Sequence, residues 1–152
     1  MLNDNSKKQI VIDSLEFLSV KELIDVFGLV IMPNHIHLIW RMNSLNGNET
    51  PFGSFLKFTA HEFKKSMLAS ELKNYVVNAP NKVYEFWQRD SLAIELHSPE
   101  VAYQKLEYIH HNPLAKKWKL CNETIDYEFS SASFYESGES TFAFLKHLGE
   151  EF

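Results

Sequence analysis

The sequence predicts an α+β domain, an antiparallel sheet with helices packed on it. Three observations carry this. Two apolar runs rich in Val, Ile and Leu flank Pro33-Asn34 and read as the arms of a hairpin. Ser98-Pro99 opens, and Pro113 closes, a segment whose apolar residues recur at helical spacing. The chain has 152 residues, of which 45% are hydrophobic, enough for a real core within the usual size of one domain. No repeat, low-complexity stretch or linker divides it, so residues 1–152 are expected to form a single domain.

The elements follow in order. Ile10, Val11, Leu15 and Leu18 keep a helical spacing, with Lys7, Lys8, Asp13 and Glu16 on the other side; this predicts a helix from Ser6, its N-cap, to Leu18. Leu23 to Met32 reads as a strand, Pro33-Asn34 as a turn, and His35 to Arg41 as the returning strand. Asn43 to Gly53 is dense in turn formers and reads as a loop. A helix is expected from Ser54 toward Ser70, then irregular chain over Asn74 to Asn81. Val83 to Leu96 reads as a strand, straight or bent, and Pro99 to His111 as a helix. Beyond Cys121 the pattern is weak; Ser130 to Ser133 reads as a loop or cap, and Phe142 to Leu148 as a short terminal helix.

Composition narrows the function classes. Cys121 is the one cysteine, so neither an intrachain disulfide nor a cysteine-based zinc site can form. The polar start lacks the pattern of a signal peptide, and the longest apolar run is too short for a bilayer, so a soluble, cytoplasmic protein is expected. Net charge is −5, but residues 122–152 hold seven acids and one base, an acidic tail. The first 121 residues carry 14 bases and 13 acids. Two basic clusters with interleaved aromatics stand out there, one around Lys57, Lys64 and Lys65, the other Lys116-Lys117-Trp118-Lys119. Each is either a solvated face or a phosphate-binding surface.

The candidate chemistry begins on the second arm of the hairpin. Side chains alternate along a strand, so His35 and His37 share one face and Ile36 takes the other. Such a pair is a polar patch or half of a metal site, since neutral imidazole is the commonest metal ligand among side chains. On the helix from Pro99, Tyr108 and Asn112 are one turn apart on one face. Two imidazoles and an amide oxygen would fill three positions around a divalent cation and leave others open, as catalysis requires. A tyrosine hydroxyl, with an ordinary pKa of about 10, is a weak nucleophile at neutral pH, and beside such a cation it could attack a phosphodiester. Tyr108 as packing and Asn112 as a helix cap is the plainer alternative.

Met32-Pro33-Asn34-His35-Ile36-His37-Leu38 resembles the His-hydrophobic-His motif of single-tyrosine HUH transposases. Tyr108-Ile109-His110-His111-Asn112-Pro113 resembles the tyrosine helix of their REP-associated branch. Phe86-Trp87-Gln88-Arg89 and Phe129-Ser130-Ser131-Ala132-Ser133 are similar to two further segments of that group, in the same order, and together they cover roughly residues 20 to 137. The resemblance implies a ferredoxin-like HUH fold acting on single-stranded or hairpin DNA, with Mg²⁺ or Mn²⁺ held by His35 and His37. It implies Tyr108 as the nucleophile that forms a 5′-phosphotyrosine and frees a 3′-OH. Asn112 stands where relatives often carry a glutamine as third ligand, and it is shorter. Arg89, Lys57, Lys64, Lys65, Lys116, Lys117 and Lys119 could meet phosphates, and Trp118 could stack on a base. Trp87 is expected in the core instead.

One departure matters. Relatives usually have a strand before the first helix, and the few polar residues before Ser6 do not supply it. The sheet is therefore expected to lack the family's first strand and to show an unpaired edge, open to upstream sequence or to a second copy in a homodimer. A decayed, DNA-binding relic without turnover and a metal-dependent phosphoesterase that does not use the tyrosine are the rival expectations.

Overall fold

A computed structural model describes residues 1–88, 93–139 and 142–152. It is an α+β fold with helices on both faces of a hairpin. Helix α1 (Asn5–Val20) leads into β1 (Ile24–Ile31) and β2 (Ile36–Met42), which pair antiparallel. Then come α2 (Pro51–Ser66), the single turn α3 (Ala69–Leu72), a second small hairpin of β3 (Val76–Ala79) and β4 (Lys82–Tyr84), α4 (Pro99–His111) and α5 (Ala132–Ser137). Among the described residues no helix is long and apolar enough to cross a membrane.

β1 is buried at every position because it is covered on both faces, which explains its unbroken apolar run. Ile24, Val26, Leu29 and Ile31 point to one side, where Val11, Leu15 and Leu18 of α1 meet Phe55 and Phe63 of α2. Phe27, Val30 and Met32 point to the other side and, with Ile39 of β2, meet Ala102, Leu106 and Ile109 of α4. Burying one such Leu or Ile contributes about 1.5–3 kcal/mol. The register slips between Val26 and Gly28, where Phe27 is the extra residue of a β-bulge. A Cβ on Gly28 would lie 2.8 Å from Leu106 Cδ1, so the glycine lets α4 close tightly on the bulge.

The second edge of β1 is closed by the chain's own C-terminal segments. Ile31 N–H donates to the Phe129 carbonyl at 2.9 Å, Ser131 N–H to the Leu29 carbonyl at 2.8 Å, and Lys146 N–H to the Val26 carbonyl at 2.9 Å. Asp25 lies under this seam. Burial opposes its ionisation, but hydrogen bonds from Lys146, Arg41 and Asn43 outweigh that and hold its carboxyl below the usual range. Arg41 also pairs with Glu151, so part of the acidic tail is tied down. The outer edge of β2, in contrast, has no strand partner among the described residues.

Several expected elements differ. The first helix is capped by Asp4, two residues before the expected Ser6, and its carboxylate accepts from Ser6 N–H at 2.8 Å. Helix α2 starts at Pro51 because Thr50 Oγ1 caps Gly53 N–H at 3.0 Å. The stretch expected to be irregular contains a 3-10 turn (Lys73–Tyr75) and β3. Of the strand expected over Val83 to Leu96, only Val83 and Tyr84 are in one among the described residues, and residues 89–92 lie outside them. Phe86 and Trp87 are adjacent in sequence yet both pack on Phe63 in one core, which strand alternation forbids. Trp87 Nε1–H also donates to Thr59 Oγ1 at 2.8 Å, which fixes its place in the core. No terminal helix forms over Phe142 to Leu148; Leu145 bridges Val26 in parallel, and only Leu148–Glu150 makes a 3-10 turn.

One buried polar link pins α4 to β1. Ser131 Oγ accepts Leu29 N–H at 3.0 Å and lies 2.8 Å from His110 Nε2. The Ser131 hydroxyl has two lone pairs and one proton, so it holds Leu29 N–H and pairs with a neutral His110 in either tautomer. Burial pushes His110 down to about 4, and the neighbouring His111 adds to this. The imidazole is thus neutral in the fold, while an unfolded chain takes up its proton near the ordinary value of 6.5. Stability from His110 is present above pH 6.5 and is lost as pH falls toward 4, by on the order of 3 kcal/mol. Urea midpoints at pH 7 and pH 4.5 check this: His110→Gln should lose less stability between the two than the parent does.

Candidate active site

The hairpin turn presents the histidines. Met32 N–H donates to the His35 carbonyl at 2.8 Å, closing the chain reversal at Pro33-Asn34. From there His35, His37 and Ile39 project to the α4 side, while Ile36, Leu38 and Trp40 join the α1–α2 core. Helix α4 is capped by Ser98, whose Oγ accepts from Val101 N–H at 3.3 Å, and begins at Pro99. Its apolar stripe docks on β1 and Ile39, and this docking carries Tyr108 and Asn112 to the histidines.

The three donor side chains converge within one chain. His35 Nε2 and His37 Nε2 are 3.1 Å apart, with the rings edge to face. Asn112 Nδ2 lies 2.7 Å from His37 Nε2. Two nitrogens bound to one ion at about 2.1 Å each and near a right angle would be about 3 Å apart, so the imidazole pair fits a shared cation. Rotating the Asn112 amide by half a turn exchanges nitrogen for oxygen, so this side chain can donate to His37 or offer an oxygen to a cation. Among the described residues no three His, Cys, Asp or Glu side chains gather to hold an ion. The candidate set is two nitrogens and one amide oxygen, with no carboxylate.

The electrostatics keep the nitrogens available. Burial pushes His37 down to about 4, with His35 beside it lowering it further. Burial also lowers His35, helped by the Lys117 ammonium. Both imidazoles are therefore neutral near pH 7 and carry lone pairs.

Tyr108 differs from the tyrosines packed nearby. The Tyr127 hydroxyl donates to the Ile31 carbonyl, and that of Tyr135 to the Phe27 carbonyl at 2.7 Å. Burial pushes both up to about 12. Tyr108 is 64% exposed, its ring centroid is 6.3 Å from that of His37, and its hydroxyl has no hydrogen bond among the described residues. It lines an open cleft of about 380 Å³ with Gln104, Glu107, His111, Asn112 and Ala115.

The two basic clusters fall in different places. Trp118 packs 5.9 Å from His35, ring to ring, and Lys117 Nζ sits 5.2 Å from the Trp118 ring. Lys116 and Lys119 are exposed on the same turn. Lys57, Lys64 and Lys65 lie on α2, across the hairpin from the imidazoles, and are not brought to the site. Lys57 pairs with Glu49 at 2.9 Å, Lys65 with Glu62 at 3.3 Å, and Lys64 rests 5.5 Å over the Tyr84 ring. Arg89 lies outside the described residues.

Sequence reasoning missed three residues at or behind the site. His110 and Ser131 form the pin between α4 and β1. Asn34 Oδ1 lies 2.6 Å from His35 Nδ1. The Ser130-Ser131 pair stood out in the sequence, but nothing local pairs residue 131 with Leu29. No protein-family model, curated protein or solved structure matches this chain.

Proposed function

We propose that this protein is a metal-dependent DNA nuclease and strand transferase that acts on single-stranded or hairpin DNA through a 5′-phosphotyrosine. The observation that carries the reading is the exposed Tyr108 beside the convergent His35, His37 and Asn112. The likeness of the segments around these residues to single-tyrosine HUH transposases supports it. His35, His37 and Asn112 would hold Mg²⁺ or Mn²⁺, which when bound polarises a phosphoryl oxygen and offsets negative charge.

The chain's own residues do the rest. Tyr108 Oη attacks the phosphorus of a phosphodiester, the bond from phosphorus to the 3′ oxygen breaks, and the phenol proton is made good on that leaving oxygen. One phosphoester replaces another, so a free 3′-OH can later attack the phosphotyrosine and rejoin DNA without an external energy source. Exposure of Tyr108 suits a macromolecular substrate, and Lys116, Lys117 and Lys119 border the site with charge for its backbone.

Labelled single-stranded DNA incubated with the protein and Mn²⁺ should yield a band that persists on a denaturing gel. Cleavage without any covalent band would favour the phosphoesterase, and binding without cleavage the relic. The position of the clusters adds a second expected result. Changing Lys116, Lys117 and Lys119 together to Gln should lower the slope of log affinity for single-stranded DNA against log salt by about 2. The same change at Lys57, Lys64 and Lys65 should lower it less, as read by fluorescence anisotropy over a salt series.

A further inference from the structure

Asn34 sits in the exposed turn before His35, and its contact is directional. Its Oδ1 is 2.6 Å from His35 Nδ1. With its oxygen turned to the ring, as here, the Asn34 amide can only accept there, which places the proton on Nδ1. A neutral imidazole has one N–H, and His35 Nε2 therefore keeps its lone pair. That atom lies 3.1 Å from His37 Nε2, which in turn lies 2.7 Å from the Asn112 amide nitrogen. The other tautomer would set an Nδ1 lone pair against an acceptor oxygen at 2.6 Å, the less favourable arrangement. Trp118 packs on the His35 ring from a separate segment and limits its rotation.

Resting on the metal reading above, we infer that Asn34 is a positioning residue that fixes the His35 tautomer and orientation, so that His35 Nε2 is presented to a divalent cation together with His37 Nε2. Two lone pairs facing each other repel, and a cation between them removes the repulsion. The second partner of a ligating imidazole sets which nitrogen is free and raises its basicity, and losing such a partner weakens metal binding by about 10- to 100-fold.

Two substitutions separate this from a mere turn-forming role. Asn34→Leu keeps the size and removes the acceptor; Asn34→Asp keeps an acceptor. The first readout is the ¹⁵N ring spectrum of His35 at neutral pH without metal. The parent and Asn34→Asp should show a protonated Nδ1 and a bare Nε2, and Asn34→Leu should shift toward a protonated Nε2. The second readout is calorimetric titration with Mn²⁺ alone, where Asn34→Leu should bind about 10- to 100-fold more weakly than the parent and Asn34→Asp no more weakly. A protonated Nε2 in the parent, or parental affinity in Asn34→Leu, would overturn the inference. If the parent takes up no Mn²⁺, the metal reading falls by itself, and the ring spectrum alone still decides the role of Asn34.

Discussion

Tyr108→Phe should fold like the parent and form no covalent link to DNA. The substitution removes one oxygen from a side chain that is 64% exposed and whose hydroxyl bonds to none of the described residues, so stability should change by no more than about 0.5 kcal/mol. Phenylalanine retains the ring contact with His37 and has no nucleophile. Transfer to DNA should fall by at least about 10³-fold, to background on a denaturing gel. Binding of single-stranded DNA should persist, because the neighbouring lysines and Trp118 are untouched. Strand cleavage that survives in Tyr108→Phe would show that water, and not the tyrosine, attacks.

His37→Ala should remove metal binding and the covalent adduct together. His37 Nε2 is the central atom of the site, 3.1 Å from His35 Nε2 and 2.7 Å from the Asn112 amide. Loss of a residue that only supports a ligand costs about 10- to 100-fold in metal affinity, so loss of a ligand should cost at least about 100-fold. The parent should bind Mn²⁺ more tightly than Mg²⁺, because two of the three donors are nitrogen and Mg²⁺ prefers oxygen. The variant should remain folded at pH 7. Burial already disfavours the charged form of His37, so its removal also deletes a group that destabilises the fold as pH falls below 6.5. Calorimetric titration with each metal checks the affinities, and adduct formation that is unchanged in His37→Ala would remove this histidine from the chemistry.

The parts of the site that were legible in the sequence depend on local rules. His35 and His37 share a face because strands alternate, and Tyr108 and Asn112 share one because helices repeat near 3.6 residues. Ser98-Pro99 and Pro113 marked the ends of α4, and the observed helix runs from Pro99 to His111. What the sequence did not disclose rests on contacts between distant segments. Phe129 to Ser131 and Lys146 reach β1 across about a hundred residues, with no local signal for the pairing. That long reach also accounts for the tail, whose Glu151 is held by Arg41 and whose Lys146 is held by Asp25. The strand expected beyond Tyr84 failed because Phe86 and Trp87 both satisfy the same core, and aromatic content alone does not distinguish that from a strand. The two basic clusters look alike as sequence; only the docking of α2 and α4 on opposite faces of the hairpin separates them.

The most direct test of tyrosine chemistry is to locate the covalent bond. The protein would be incubated with single-stranded DNA containing a hairpin and with Mn²⁺, then digested, and the peptides analysed by mass spectrometry. The account predicts one modified peptide, carrying a 5′-linked nucleotide phosphate on Tyr108, together with a released fragment that ends in a 3′-OH. A DNA adduct on another tyrosine, such as the partly exposed Tyr103, or cleaved DNA with no modified peptide at all, would contradict it.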